Sequence, residues 1–378
     1  MTLASAVAQL SAEAVMPPQF HQQNTWDGKG GTLSTGLRAP TERFEDILAE
    51  FGYDPETVDI DGTVNQWRKQ QKDGTYLVSY FFKVRSRESN LDVPALYAAS
   101  RRKSKAKVKA EPRKRTTVVC LSDVQAGKTS HRGGTPELLD RLKEKRDALA
   151  AELKRRKPDS TVLAEGGDLF EGFESGGNPM FTNDLSLAQQ MDVAGTEVYE
   201  FLDIMQRHGH VDVMAVNSNH TAWRRGKQNL GESQDDLGLH VHRTVEKIAD
   251  AKGIDATWHY PKPYSEQVCI DVRGTGLGMV HGNQFAPGGA VKWWQGQQHG
   301  AQPVAGADIL LTGHYHFLSL MPTGRNGRTD KSKWWIQMPT LDNGSTWYSN
   351  ISGDDSDPGL LIFDITEDGF DLQSLTVL

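Results

Sequence analysis

The chain has 378 residues, a net charge of −7 and 37% apolar residues, enough for one large domain with appendages or for two domains. No run of about 18 apolar residues is present, which argues against a transmembrane helix. The segment 1–16 has no Lys or Arg, so no secretory signal is expected. Two cysteines, Cys120 and Cys269, make no disulfide framework; both fall in expected strands and read as buried thiols in a reducing cytoplasm. The charge is uneven. Residues 1–115 carry 18 Lys and Arg against 14 Asp and Glu, and the rest carries 24 against 35.

In chain order, residues 1–35 lack periodicity and contain Gly28, Gly30, Gly31 and Gln22-Gln23-Asn24, so a mobile tail is expected. Phe44, Ile47, Leu48 and Phe51 share one helix face, and Asp54-Pro55 ends that helix. Strand-like runs around Trp67 and over 76–84 flank Asp73-Gly74, which marks a hairpin. Residues 36–100 thus read as a small α+β helix-plus-hairpin module. The stretch 101–115 has nine basic residues against Glu111 and reads as a solvated linker.

From residue 116 strands and helices alternate. Helices are expected over 138–153, 185–205 and 237–251, and strands over 334–338, 359–365 and 372–378. Five apolar runs each end in a polar cluster. Thr117–Leu121 leads to Asp123-Val124-Gln125, and Thr161–Ala164 to Gly167-Asp168 with Glu171 just beyond. Val211–Val216 leads to Asn219-His220, Leu277–Val280 to His281-Gly282, and Ile309–Leu311 to Gly313-His314-Tyr315-His316. Buried strands read this way, and groups at their carboxyl ends can converge on one sheet edge.

Oxygen and imidazole donors around a shared carboxylate suit a pair of divalent ions, roughly 3.5–4 Å apart, that hydrolyses phosphate esters. Asp168 is the natural bridge. Asp123, Gln125 and His316 complete one ion; Asn219, His281 and His314 complete the other. His220 remains as an acid toward the leaving oxygen, and Glu171 as a carboxylate that orients an imidazole. Lys128, Arg224 and Arg225 are candidates for holding phosphate, against the alternative of a surface basic cluster. His208, His210, His240, His242 and His259 read as structural.

The order and spacing of these clusters resemble the calcineurin-like metallophosphoesterase superfamily, over residues 116 to about 320. That family's pattern runs Asp-x-His, Gly-Asp-x-x-Asp/Glu, Gly-Asn-His, Gly-His and Gly-His-x-His. The resemblance implies an α/β fold, a two-sheet β-sandwich flanked by helices spanning 116–378. It also implies a binuclear centre and hydrolysis of phosphomonoesters or phosphodiesters. Three positions depart from the pattern: Gln125 replaces the first histidine, Ser218 the glycine before Asn219, and Val280 the glycine before His281. A neutral amide oxygen at Gln125 favours Mn²⁺ first, or Mg²⁺, with Fe or Zn²⁺ as alternatives.

The basic linker 101–115 and the aromatic and basic residues of the hairpin (Trp67, Arg68, Lys69, Tyr76, Tyr80, Phe82, Lys83, Arg85, Arg87) suit contact with nucleic acid. The expectation is therefore a phosphodiesterase acting on a nucleic acid or nucleotide. The alternatives are a phosphomonoesterase or protein phosphatase, and a catalytically weak metal-bound binding module. The small N-terminal module and the segment 339–345 are similar to phage-borne members of the family, which places the protein in a bacterial cytoplasm.

Overall fold

The computed structural model describes residues 18–87, 97–99, 114–173, 182–225, 228–346, 349–350, 353 and 355–378. The chain divides into two units, Met1–Lys109 and Ala110–Leu378. In the first, β1 (Gln22–Trp26), β2 (Gly30–Arg38), α1 (Phe44–Glu50), β3 (Val58–Gln70) and β4 (Tyr76–Ser86) follow one another. The strands form an antiparallel sheet in the order β1-β2-β4-β3. Alternate residues of β4, Val78, Tyr80, Phe82 and Val84, are buried against Leu33 of β2 and Ile47 and Leu48 of α1.

Two expectations change here. Residues 22–35 are not a tail: β2 pairs with β4, with Leu33 opposite Phe82, and partners rather than local composition stabilise it. Tyr80 and Phe82 are core residues, 2% and 1% exposed, and are not free to stack on bases. The basic stretch 101–113 lies outside the described residues.

The second unit begins with β5 (Thr116–Leu121), α2 (Thr135–Arg156), β6 (Ser160–Glu165), α3 (Leu187–Met205), β7 (His210–Ala215), β8 (Arg224–Arg225), β9 (Gln228–Asn229) and α4 (Leu237–Lys252). It continues with β10 (Ala256–His259), β11 (Val268–Val272), β12 (Thr275–Val280), α5 (Ala290–His299), β13 (Ile309–Thr312), β14 (Ser319–Arg325), β15 (Ser332–Gln337), β16 (Leu361–Thr366) and β17 (Gly369–Val377). Six strands form one sheet, β10-β7-β6-β5-β16-β17, and five form another, β11-β12-β13-β15-β14.

The continuous apolar runs are explained by cover on both faces. Val119, Leu121, Leu163 and Val213 pack under Leu142 of α2 and Phe201 of α3. The intervening residues Val118, Cys120, Val162 and Ala164 share a core with Leu277, Met279, Ile309, Leu311 and Ile336 of the second sheet. The outer face of that second sheet packs Leu310 and Trp335 against Trp294 of α5. Two sheets therefore face each other with helices outside, a mixed α/β arrangement. Cys120 is fully buried, whereas Cys269 is only partly so, a correction to the expected pair of buried thiols. No described helix is long and apolar enough to cross a membrane.

Candidate metal centre

In each sheet the central strands run parallel: β5-β6-β7 in one and β12-β13-β15 in the other. Their carboxyl ends deliver Asp123, Asp168, Asn219-His220, His281 and His314 to one place. The turns are tight. A Cβ on Gly167 would lie 2.7 Å from His281 Nδ1 and from Ser218 Cβ, and one on Gly313 would lie 2.7 Å from Asp123 Oδ2. Among the described residues ten non-glycine residues have left-handed backbone, and Asp123, Gln125, Asp168, His314 and His316 are five of them. Such conformations cost on the order of 1–3 kcal/mol each and persist where surrounding structure enforces them, as at functional sites.

One half of the centre is built around Asp168. This carboxylate is 1% exposed. Its Oδ1 accepts from the backbone N–H of His220 at 3.0 Å, and Ser218 Oγ accepts from the Asp168 N–H at 2.9 Å. Its buried Oδ2 pairs with His281 Nε2 at 3.1 Å and lies 3.8 Å from His220 Nε2. His281 Nδ1 lies 2.8 Å from the carbonyl of Gly166, which turns Nε2 toward Asp168 and toward Asn219 Oδ1 at 2.8 Å. A histidine that spends one ring nitrogen on a backbone carbonyl presents the other as a ligand.

Asp168, His281 and His314 offer ligand atoms that all lie within 4.8 Å of one another, and no other group of three His, Cys, Asp or Glu among the described residues does so. The charges of these groups shape one another. Burial alone would lower the His281 pKa, but Asp168 outweighs it and holds the imidazole up at about 9. Burial and then His281 push His314 down to about 4, leaving it neutral with its lone pair available. Burial would raise Asp168, yet His281 and His220 hold it well below the usual carboxylate range. A carboxylate, two imidazoles and an amide oxygen fit a divalent transition ion.

The other half has different chemistry. Asp123, fully buried, accepts from the His314 N–H at 3.0 Å and sits 3.3 Å from His316 Nε2. The second ring nitrogen of His316 faces Asp342 Oδ2, also at 3.3 Å. Burial would lower His316, but Asp342 and Asp123 outweigh it and raise the imidazole to about 10. Lys128 is 4% exposed and donates to Gln125 Oε1 at 2.5 Å and to Asp342 Oδ2 at 2.6 Å. Gln125 turns its amide nitrogen toward His220 Nε2 at 3.3 Å. His220 Nδ1 lies 2.9 Å from the Glu171 carbonyl and 3.3 Å from Glu171 Oε2.

Every candidate ligand named from the sequence thus comes to this centre, and Glu171 meets an imidazole, that of His220. Of the candidates for holding phosphate, Lys128 is corrected. It points inward, and its ammonium is taken up by Gln125 and Asp342. Arg224 and Arg225 form the short strand β8; Arg224 donates to the Asn219 carbonyl at 2.6 Å, and Arg225 is exposed. A polar cleft lined by Asn219, Trp223, Arg224, Glu266 and Asn283 opens beside them.

Sequence reading missed Asp342, which is fully buried in the loop after β15, and the part played by Ser218. Buried Asp236 caps α4 at Leu239 N–H and also accepts from Ser218 N–H and the Thr221 hydroxyl. Burial raises its carboxyl to about 6.

No family model matches the chain, and no curated protein matches it. Among solved structures it is similar to a metallophosphoesterase from Sphaerobacter thermophilus, with 9% identity over 70% of this chain and 88% of that one and a TM-score of 0.29. It is also similar to a Staphylococcus aureus protein described provisionally as a 5′-nucleotidase and solved with alpha-ketoglutarate. There the identity is 12%, over 70% of this chain and 54% of that one, with a TM-score of 0.30.

Proposed function

We propose that the chain is a metal-dependent phosphoesterase, acting on phosphodiesters of a nucleic acid or nucleotide, with Asp168 at the heart of its metal site. The observation that carries this reading is the buried Asp168 carboxylate, which offers a ligand atom within 4.8 Å of those of His281 and His314. Asp168, His281, His314 and the amide oxygen of Asn219 would hold the ion. When bound, a divalent ion there supplies Lewis acidity toward phosphate and lowers the pKa of a coordinated water.

The rest falls to side chains. His220 presents Nε2 to the centre, while Glu171 anchors Nδ1. Burial would lower its pKa, but Asp168 and Glu171 outweigh burial and raise it, which favours the protonated ring that a general acid needs. Arg224, beside Asn219 on the open cleft, is positioned to meet a phosphate.

The diester and nucleic-acid part of the reading rests on the basic stretch 101–115 and on the exposed hairpin residues Arg68, Lys69, Tyr76, Lys83 and Arg85. Burial of Tyr80 and Phe82 leaves electrostatics, rather than stacking, as its main support. The test is hydrolysis of bis(4-nitrophenyl) phosphate, 4-nitrophenyl phosphate and labelled oligonucleotides with Mn²⁺. Diester and oligonucleotide cleavage supports the reading. Cleavage of the monoester alone replaces it with a phosphomonoesterase, and no cleavage of any substrate returns the weight to a metal-bound binding module.

A further inference from the structure

We propose that Lys128 stands in for one of the two metal ions, so that the centre holds a single divalent ion, at Asp168, His281, His314 and Asn219. The inference rests on the phosphoesterase reading and narrows it. In the half of the centre formed by Asp123, Gln125 and His316, the residues present do not fit a second ion. The only metal-ligating atom that Gln125 has is Oε1, and Lys128 already donates to it at 2.5 Å. The amide's other end faces His220. Asp342, which sequence reading did not place here, receives the same ammonium at 2.6 Å. His316 divides its two nitrogens between Asp123 and Asp342 rather than aiming one at a shared point. Asp123, His316 and Asp342 accordingly do not bring three ligand atoms together, whereas Asp168, His281 and His314 do.

The ammonium is built in. Lys128 is 4% exposed, and its carbonyl accepts from Asn343 Nδ2 at 2.8 Å. Asp342 is fixed by Gly344 N–H on Oδ1 at 2.9 Å and by its own N–H on Thr340 Oγ1 at 3.0 Å. A divalent ion entering this half would meet a buried like charge in a medium of low dielectric. Lysine supplies a compact point charge with three donors. Placed here it neutralises Asp342 and orients Gln125 with no metal. Gln125 and Lys128 then act as one unit, the amide oxygen accepting from the ammonium.

The test uses the full chain, stripped with a chelator, reloaded with excess Mn²⁺ and desalted. Bound metal is counted by mass spectrometry, and its environment is read by electron paramagnetic resonance. We expect one Mn²⁺ per chain with the spectrum of an isolated ion, lost in Asp168→Ala. The double variant Gln125→His, Lys128→Ala should gain a second Mn²⁺ and an exchange-coupled spectrum. Two tightly bound, coupled ions in the unaltered chain would overturn the inference while leaving the phosphoesterase reading intact. No bound ion would overturn both. A double variant that folds by circular dichroism and still binds one ion would remove Lys128 as the cause. The count on the unaltered chain stands even if that variant does not fold.

Discussion

The two halves of the centre are fed by the same kind of element, the carboxyl end of a buried parallel strand, yet they treat charge differently. Around Asp168 the cation beside the carboxylate is an imidazole, His281, and the ligand atoms of Asp168, His281 and His314 gather in one place. Around Asp123 each acidic or amide oxygen has a protein partner, and Lys128 supplies the cation. A half-site whose charge is balanced by imidazoles can exchange a proton for an ion, because the neutral ring is a ligand. A half-site balanced by a lysine cannot, because an ammonium offers no ligand atom. Similar residue types at similar strand ends can therefore do different work, and the partners of each side chain decide which.

His220 touches both halves, so replacing it should have the largest effect on turnover of the variants that keep the ion. His220→Ala is expected to lower kcat by about 10²–10⁴-fold with the Mn²⁺ count unchanged; a lost ion would show that the histidine is a ligand and not an acid. Lys128→Met probes the internally satisfied half. Taking the ammonium from buried Asp342, which then keeps only His316 as a charged partner, should cost up to about 3–5 kcal/mol, read from urea unfolding, whereas an unchanged midpoint would mean that the pair is not formed.

The same pair sets an acid limb. Burial would raise the Asp342 carboxyl, but Lys128 and His316 outweigh it and hold it well below its ordinary value. The folded chain then binds fewer protons at this group than the unfolded one. Its contribution is present at neutral pH and lost as pH falls through the carboxylate range. Lys128→Met should flatten that limb in unfolding measured against pH.

A smaller effect is expected on the ion-binding side. Ser218→Gly restores the residue of the resembled motif but removes the hydroxyl that receives Asp168 N–H. Mn²⁺ affinity should fall by about 10-fold, measured by titration calorimetry; tighter binding would mean that the serine is incidental. Arg225→Ala, at an exposed position, should leave stability within about 0.5 kcal/mol and the metal count unchanged, serving as the control.

The ligand clusters were legible in the sequence because each follows an apolar run directly, and strand ends put them on one edge. The two-sheet arrangement was implied by the family resemblance, and the runs agree with it, since strands apolar at every position need cover on both faces. Asp342 was not legible. It lies in a loop after β15, and its lysine partner is 214 residues away. Lys128 misled for a related reason: lysine is almost never buried unless paired, and nothing near it in sequence announces the pair. Strands β1 and β2 escaped because glycine, glutamine and threonine dominate them, and their order comes from pairing, β2 with β4 and β1 with β2. Tyr80 and Phe82 looked like a stacking face because alternation shows that two faces differ without saying which one is covered.

The most direct test of the central claim is Mn²⁺-dependent hydrolysis of bis(4-nitrophenyl) phosphate by the chain and by Asp168→Ala, run side by side after chelator treatment. Turnover that returns with Mn²⁺ in the unaltered chain and stays at background in Asp168→Ala is the predicted result. Turnover that is indifferent to chelation, or that survives loss of the Asp168 carboxylate, would contradict a metal-dependent phosphoesterase centred on that residue.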